Sequence, residues 1–308
     1  MNEADGGLDV RGVVVPILTP LKPDEEVDVS SLRRLTNYLI DNGVHGIWAA
    51  GTTGEFAALD EPARRLVIET VVEEAAGRVP VIGNVSAPAT RATVTAAEAL
   101  RDCPVAGIAA TPPYYYSNTQ DELIGHFRAI ADRCAQPLWV YDIPSTVKVT
   151  VEPETIAALA ADGTVAGVKD STGAGETFAQ LVMLCRSRNL ALYRFVGSVW
   201  RATMAGIGAH GIIPGIGNLA PRSVSGAWEA GQRGDEETAG RCLDQVLAAT
   251  RLTRIRAGGS SGAGFSGIKC ALKLMGIIEH DTVSAPFRGL DEAERDRIPP
   301  LLEELGLR

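Results

Sequence analysis

Eight short apolar runs, each followed by a longer polar or amphipathic stretch, fill roughly the first 230 residues and limit the possible folds more than any other feature of this chain. They begin near Gly12 (GVVVPIL), Val44 (VHGIWAA), Val79 (VPVIGN), Val105 (VAGIAA), Pro137 (PLWVYDIP), Val165 (VAGVK), Ala191 (ALYRFVG) and Ala209 (AHGIIPG). Runs apolar on both faces and separated by helices are the pattern of a parallel sheet covered by helices. Eight repeats predict an α/β fold, a closed (β/α)8 TIM barrel. A doubly wound open sheet is the alternative, and the lack of G-x-G-x-x-G after the first run weighs against its dinucleotide-binding form.

The clearest helix runs from Pro62 to Ala76, with Val67, Ile68, Val71, Val72 and Ala75 on one face and Arg64, Arg65, Glu69 and Glu73 on the other. Asp60 is its expected cap, Glu61 favours the positive end of the helix dipole and Pro62 fits the first turn. A barrel of this kind takes about 250 residues, which leaves a tail in a chain of 308. The expected organisation is a flexible N-terminus over 1–10, the barrel over 11–233 and a C-terminal three-helix extension over 234–308, packed on the barrel rather than independent. Asp235 to Arg256 reads as its first helix, with Leu243, Val246, Leu247 and Thr250 inward. Phe265 to Met275 reads as the second and Asp291 to Leu305 as the third, and Gly258 to Gly264 as a mobile loop.

The formal net charge is -9 and the basic residues are dispersed, so no electrostatic footprint for nucleic acid exists. No apolar stretch reaches the length of a membrane span, and the acidic start, Met1-Asn-Glu-Ala-Asp, lacks the layout of a signal peptide. A cytoplasmic location is expected. The five cysteines (Cys103, Cys134, Cys185, Cys242, Cys270) are widely spaced, which predicts free thiols, and the four histidines never stand at ligand spacing. No protein-bound metal is expected.

In such barrels the active site lies at the C-terminal ends of the strands, so the residues closing each run belong together. The second run ends in Gly51-Thr52-Thr53-Gly54-Glu55, the fourth leads into Thr111-Pro112-Pro113-Tyr114-Tyr115-Tyr116, the fifth ends in Tyr141-Asp142-Ile143-Pro144 and the sixth at Lys169. The chain carries five lysines against twenty-four arginines, so where charge alone suffices it uses arginine. An amine that must lose its proton is a different requirement, which lysine meets and arginine does not. Lys169 is therefore a candidate nucleophile for a ketone, Tyr141 a candidate proton carrier, and the Thr52-Thr53 turn a candidate holder of a small carboxylate. Singly, each has a plainer explanation: a lysine reaching from a strand end to solvent, an ordinary glycine turn, a packed tyrosine with a wet hydroxyl. Four in the right order favour the chemical reading.

With these motifs the chain resembles the dihydrodipicolinate synthase and N-acetylneuraminate lyase superfamily of pyruvate-dependent, Schiff-base-forming aldolases and dehydratases. The likeness runs from Gly12 to about Pro286, through GTTGE at Gly51, YDIP at Tyr141, GVKDSTG at Gly167, GAHGIIPGIGN at Gly208 and IKCALKLMGI at Ile268. It implies Lys169 as the Schiff-base lysine and Tyr141 as the proton-transfer residue. It also implies Thr52 and Tyr115 as a relay, with Tyr115 reaching a neighbouring subunit's site in a homotetramer of tight dimers. Thr53 and Gly51 would hold the keto-acid carboxylate, and Ile213 and the Gly197 loop would line the pocket. No cofactor is implied; the partners are a keto acid such as pyruvate and an aldehyde or sugar-acid co-substrate.

In the lysine-biosynthetic members of that superfamily an arginine two residues after the proline of the tyrosine motif grips the carboxylate of aspartate semialdehyde. Thr146 stands there in this chain, and a hydroxyl does not replace a bidentate cation. Lys148 is a possible local charge, or a solvent-facing lysine. Asp142 takes a place where asparagine is common. Trp200 and Arg201 follow Gly197 and are candidates for shaping a second-substrate pocket, or Trp200 for packing a helix. The expected function is an aldolase or lyase acting on a 2-keto acid. The alternatives are a genuine 4-hydroxy-tetrahydrodipicolinate synthase, a keto-deoxy-sugar-acid dehydratase using the same imine, and a silent keto-acid-binding paralogue.

Overall fold

A computed structural model describes residues 10–199, 207–256 and 261–307. The readings made for residues 1–9, for Trp200 and Arg201, and for Gly258 to Ser260 fall outside them. Eight parallel strands close on themselves in sequence order: β1 (Gly12–Pro16), β2 (Gly46–Ala49), β3 (Val81–Asn84), β4 (Gly107–Ala110), β5 (Leu138–Asp142), β6 (Gly167–Asp170), β7 (Tyr193–Val196) and β8 (Gly211–Ile212). The TIM barrel is thus present, with each predicted run supplying one strand, and β1 pairs with both β2 and β8.

Around the sheet lie α1 (Val29–Asp41), α2 (Glu61–Ala75), α3 (Thr90–Glu98), α4 (Gln120–Ala131), a single turn α5 (Pro144–Val147), α6 (Pro153–Ala161), α7 (Gly175–Ser187) and α8 (Pro221–Arg233). Helix α2 starts as its sequence demands: Asp60 Oδ1 accepts the Ala63 N–H at 2.9 Å, and Val67, Ile68, Val71 and Ala75 are buried. Arg64, expected on the outer face, is half-buried instead, because its guanidinium donates to Ser86 O at 2.8 Å beyond β3.

Alternation along the strands divides the core in two. Ile47, Val140, Val168 and Val196 face the helices. Val14, Trp48, Ile82, Trp139, Tyr141, Phe195 and Ile213 fill the lumen, joined by Val10, which the sequence pattern places in the N-terminal segment. Trp139 stacks on Tyr193 at 5.7 Å and meets Phe195 edge-on at 5.4 Å. Room for the indole comes from Gly167, where an added Cβ would stand 2.5 Å from the Trp139 ring. Closure between the first and last strands is fastened by Asn218, fully buried, which accepts from Leu18 N at 3.0 Å and donates to Pro16 O at 2.9 Å.

Past Gly234 the chain forms α9 (Glu236–Thr250), α10 (Ser261–Leu274), α11 (Glu292–Arg295) and α12 (Ile298–Glu304). Three details differ from the sequence expectation. The first helix ends at Thr250 and tightens into a 3-10 turn over Arg251–Arg254, and its inner face is Ala239, Val246 and Ala249, with Leu247 exposed. Ser261 to Gly264, expected in a loop, open α10. The third helix is two, because Pro299 and Pro300 lack the N–H groups a continuous helix needs and begin a new one instead.

Candidate active site

Position 169 is the penultimate residue of β6, where side chains alternate, so Val168 and Asp170 turn to the helix side and the Lys169 side chain turns into the lumen, where it is 4% exposed. Register does the next step: Tyr141 of β5 is paired directly with Lys169 of β6. The amine nitrogen lies 4.0 Å from the centre of the Tyr141 ring and 5.0 Å from that of Trp48. Trp48 and Tyr141 meet edge-on at 5.5 Å, so the amine sits against two mutually braced rings. The Tyr141 hydroxyl is 3.1 Å from Thr52 Oγ1, which links the ends of β2 and β5.

After β2 the chain turns sharply through a 3-10 turn over Thr52–Gly54, in which Gly54 and Phe56 donate to Gly51 O at 2.9 and 3.3 Å and Glu55 to Thr52 O at 3.1 Å. The N–H groups of Thr52 and Thr53 take no acceptor among the described residues, as expected at the start of a helical turn. Gly51 passes so close to the Trp48 indole that a Cβ would lie 2.8 Å from it. Thr53 faces Gly215 at the end of the barrel, and Ile213, 2% exposed, donates to Val196 O at 2.9 Å beside the lumen rings. Gly197 donates to Asp170 O at 2.9 Å, and an added Cβ there would stand 3.0 Å from Ser171 Oγ.

Two predicted residues stand apart. Tyr115 is 89% exposed, adopts φ +90°, and touches the ring of Tyr116 at 5.1 Å; within one chain it does not reach the Lys169 group. Thr146 sits on α5 at the rim, exposed, its hydroxyl donating to Ile143 O at 3.1 Å. Lys148 is exposed and donates to Ser145 O at 2.7 Å, closing α5 in a left-handed turn.

Three features escape a reading of the sequence. Trp48 forms one wall around the amine. Glu55, in a left-handed conformation at φ 59°, pairs with Lys269 of α10 at 2.5 Å with both side chains fully buried, and Ser284 N donates to its other oxygen at 2.7 Å. The pair ties the turn carrying Thr52 and Thr53 to the C-terminal helices; a lysine inside the apolar run Ile268-Lys-Cys-Ala-Leu is its one sequence signal. The third is the partner of Asp142, which is paired in register with Asp170 on the helix side of the sheet. Burial, reinforced by the Asp170 carboxylate, pushes Asp142 up to about 7, against the pull of the Val151 N–H at 3.2 Å.

Among the described residues, Asp28, Glu279 and His280 bring possible metal-ligand atoms within 4.8 Å of one another. Asp28 is already engaged, capping α1 through Ser31 at 3.0 and 2.6 Å. No helix among them is long and apolar enough to cross a membrane.

Residues 9–305 match the model of the dihydrodipicolinate synthetase family. A Halobacterium salinarum protein named as an uncharacterized DapA-like lyase is 34% identical over 307 residues, covering 97% of this chain and 95% of that protein. The dihydrodipicolinate synthase structure from Bacteroides thetaiotaomicron superposes with a TM-score of 0.90 at 30% identity, covering 97% of this chain and all of the other. That of the Acinetobacter baumannii dihydrodipicolinate synthase, complexed with pyruvate, gives 0.85 at 27% identity, with 97% and 100% covered.

Proposed function

This chain belongs to the dihydrodipicolinate synthetase family, a family of lyases, and on that premise we propose that it acts on a 2-keto acid, pyruvate or the keto-acid end of a larger substrate, through a Schiff base on Lys169. One observation carries the reading: a buried amine lies against the Tyr141 ring, whose hydroxyl is bonded to Thr52. The pyruvate bound to the Acinetobacter relative supports the substrate class.

The Lys169 nitrogen adds to the ketone carbon, and the former carbonyl oxygen takes two protons, one of them given up by the amine, and leaves as water, with Tyr141 carrying protons to and from it. Gly51, Thr52 and Thr53 supply hydroxyls and backbone N–H groups for the carboxylate, while Ile213 and Gly197 line the other side. The iminium withdraws electrons from the adjacent carbon, so a proton lost there gives an enamine that attacks an aldehyde; the reverse path breaks the same carbon–carbon bond. The aldehyde oxygen takes up a proton, and water releases the amine. This sequence calls for neither a metal nor an organic cofactor.

Tyr115 completes the relay from a neighbouring subunit, within a homotetramer of tight dimers. Its exposure and its left-handed backbone support that role, since such a conformation in a bulky residue costs on the order of 1–3 kcal/mol and needs a reason. Five unpaired cysteines support a cytoplasmic location.

Borohydride reduction in the presence of pyruvate tests the proposal. A stable adduct on Lys169, absent from a folded Lys169→Ala variant, is expected. No adduct, or one confined to another lysine, overturns it. Product analysis then separates carbon–carbon cleavage from loss of water.

A further inference from the structure

Beside Thr52 opens a cleft of about 490 Å³ whose walls are unlike those a charged or polyhydroxylated co-substrate needs. Phe56, Tyr114, Val147, Phe265, Pro286 and Phe287 supply them, from the segments after β2, β4 and β5, from α10 and from the loop that follows it. Phe56 meets Tyr114 edge-on at 6.5 Å and Phe265 meets Phe287 at 5.8 Å, so the aromatic groups are braced in pairs. Among the described residues no lysine or arginine lines the cleft. The one charged group among those residues, Glu55, is neutralised by Lys269. The polar remainder is hydroxyl: Thr52, Tyr114, Ser261, Thr146 at the rim and Thr111, whose buried Oγ1 has no hydrogen-bond partner among the described residues.

Resting on the Schiff-base reading above, we infer that the second substrate is an uncharged, largely apolar aldehyde, aromatic or branched aliphatic, joined to the pyruvate enamine within this cleft. The new bond runs from the enamine carbon to the aldehyde carbon, the aldehyde oxygen becomes a hydroxyl by taking a proton, and hydrolysis of the imine returns Lys169 and releases a 4-hydroxy-2-keto acid. The cleft adjoins Thr52 and through it the Tyr141 hydroxyl, so an aldehyde seated there approaches the reacting carbon from the mouth of the barrel. Apolar walls gain from burying a ring or an alkyl group, whereas the ammonium and carboxylate of aspartate semialdehyde would be desolvated without partners. Thr111 leaves one donor for one oxygen.

The test uses the full-length protein with pyruvate and, in separate reactions, benzaldehyde, isobutyraldehyde, aspartate semialdehyde and glyceraldehyde, alongside borohydride trapping with pyruvate alone. A trapped adduct with kcat/KM at least tenfold higher for benzaldehyde or isobutyraldehyde than for the two polar aldehydes supports the inference. Phe287→Ala should then raise the KM for the favoured aldehyde about tenfold, with a much smaller effect on that for pyruvate. A trapped adduct without that preference overturns this inference and leaves the Schiff-base reading standing. Failure to trap pyruvate overturns both.

Discussion

The hydroxyls of Tyr141 and Thr52 lie 3.1 Å apart although 89 residues separate them in the chain. The contact joins the ends of two strands that are not neighbours in the barrel, and the Tyr141 ring lies 4.0 Å from a buried amine. Loss of the phenol in Tyr141→Phe should lower kcat by about 10²–10⁴-fold, the usual contribution of a positioned proton carrier. Thr52→Val, which keeps the shape and removes the hydrogen bond, should cost less, about tenfold. Steady-state kinetics with pyruvate and an accepted aldehyde checks both, and full activity in Tyr141→Phe would remove this tyrosine from the proton path.

Glu55 and Lys269 are a buried pair whose separate removal leaves one charge without its partner. Glu55→Gln or Lys269→Met should each destabilise the protein by about 3–5 kcal/mol, and the double variant should recover a large part of the loss. Urea unfolding of the three variants measures this. Additive losses would show that the two groups are not coupled. Because Glu55 follows Thr52 and Thr53, the single variants should also raise the KM for pyruvate.

Asp142 links stability to pH. Its folded carboxyl titrates at about 7, above the ordinary value of 3.8, so the folded state holds a proton that the unfolded state gives up. The stabilisation is full below about 3.8, declines as pH rises, and is gone above about 7, a loss of up to about 4 kcal/mol. In Asp142→Asn the amide cannot ionise and still offers an oxygen to the Val151 N–H. The Tm of Asp142→Asn minus that of the natural protein should therefore grow between pH 4 and 7 and level off above. A difference independent of pH would show that the Asp142–Asp170 pair holds no extra proton.

Tyr115 gives a test of the shared site. Tyr115→Phe and Lys169→Ala should each be nearly inactive, and mixed oligomers of the two should regain part of the activity, because some sites then draw a sound lysine and a sound phenol from different chains. Mixed oligomers that form and regain nothing would confine the site to one chain.

Replacing Thr146 with arginine should place a cation at the rim of a cleft that no other lysine or arginine lines among the described residues. The expected outcome is a rise of about tenfold in kcat/KM for aspartate semialdehyde, within the usual value of a charge-assisted hydrogen bond. Competition assays between aldehydes read it directly, and an unchanged preference would mean that position 146 does not face the second substrate.

Much of this protein is written locally. Runs apolar on both faces and Asp60 before α2 each state their role within a few neighbouring residues, a lone lysine near the end of β6 marks itself as a candidate, and the eightfold repeat then fixes the barrel. Strand parity is not legible in the same way: a run buried on both sides does not reveal which residues face the lumen, so nothing local marks Trp48, and closure turns it inward beside Lys169. The proline pair that splits α11 from α12 is legible, but the apolar pattern on either side outweighs it in a sequence reading. Glu55 and Lys269, 214 positions apart, carry no mark of each other in the sequence, and neither do the aromatic walls of the cleft, drawn from three loops and a distant helix. Sequence alone determined the eight strands and most of the helices and named the candidate reacting residues, because those follow from local periodicity and residue chemistry. Only the tertiary structure decided which charges neutralise one another and what shape surrounds the amine, because both depend on which side chains meet when the sheet closes.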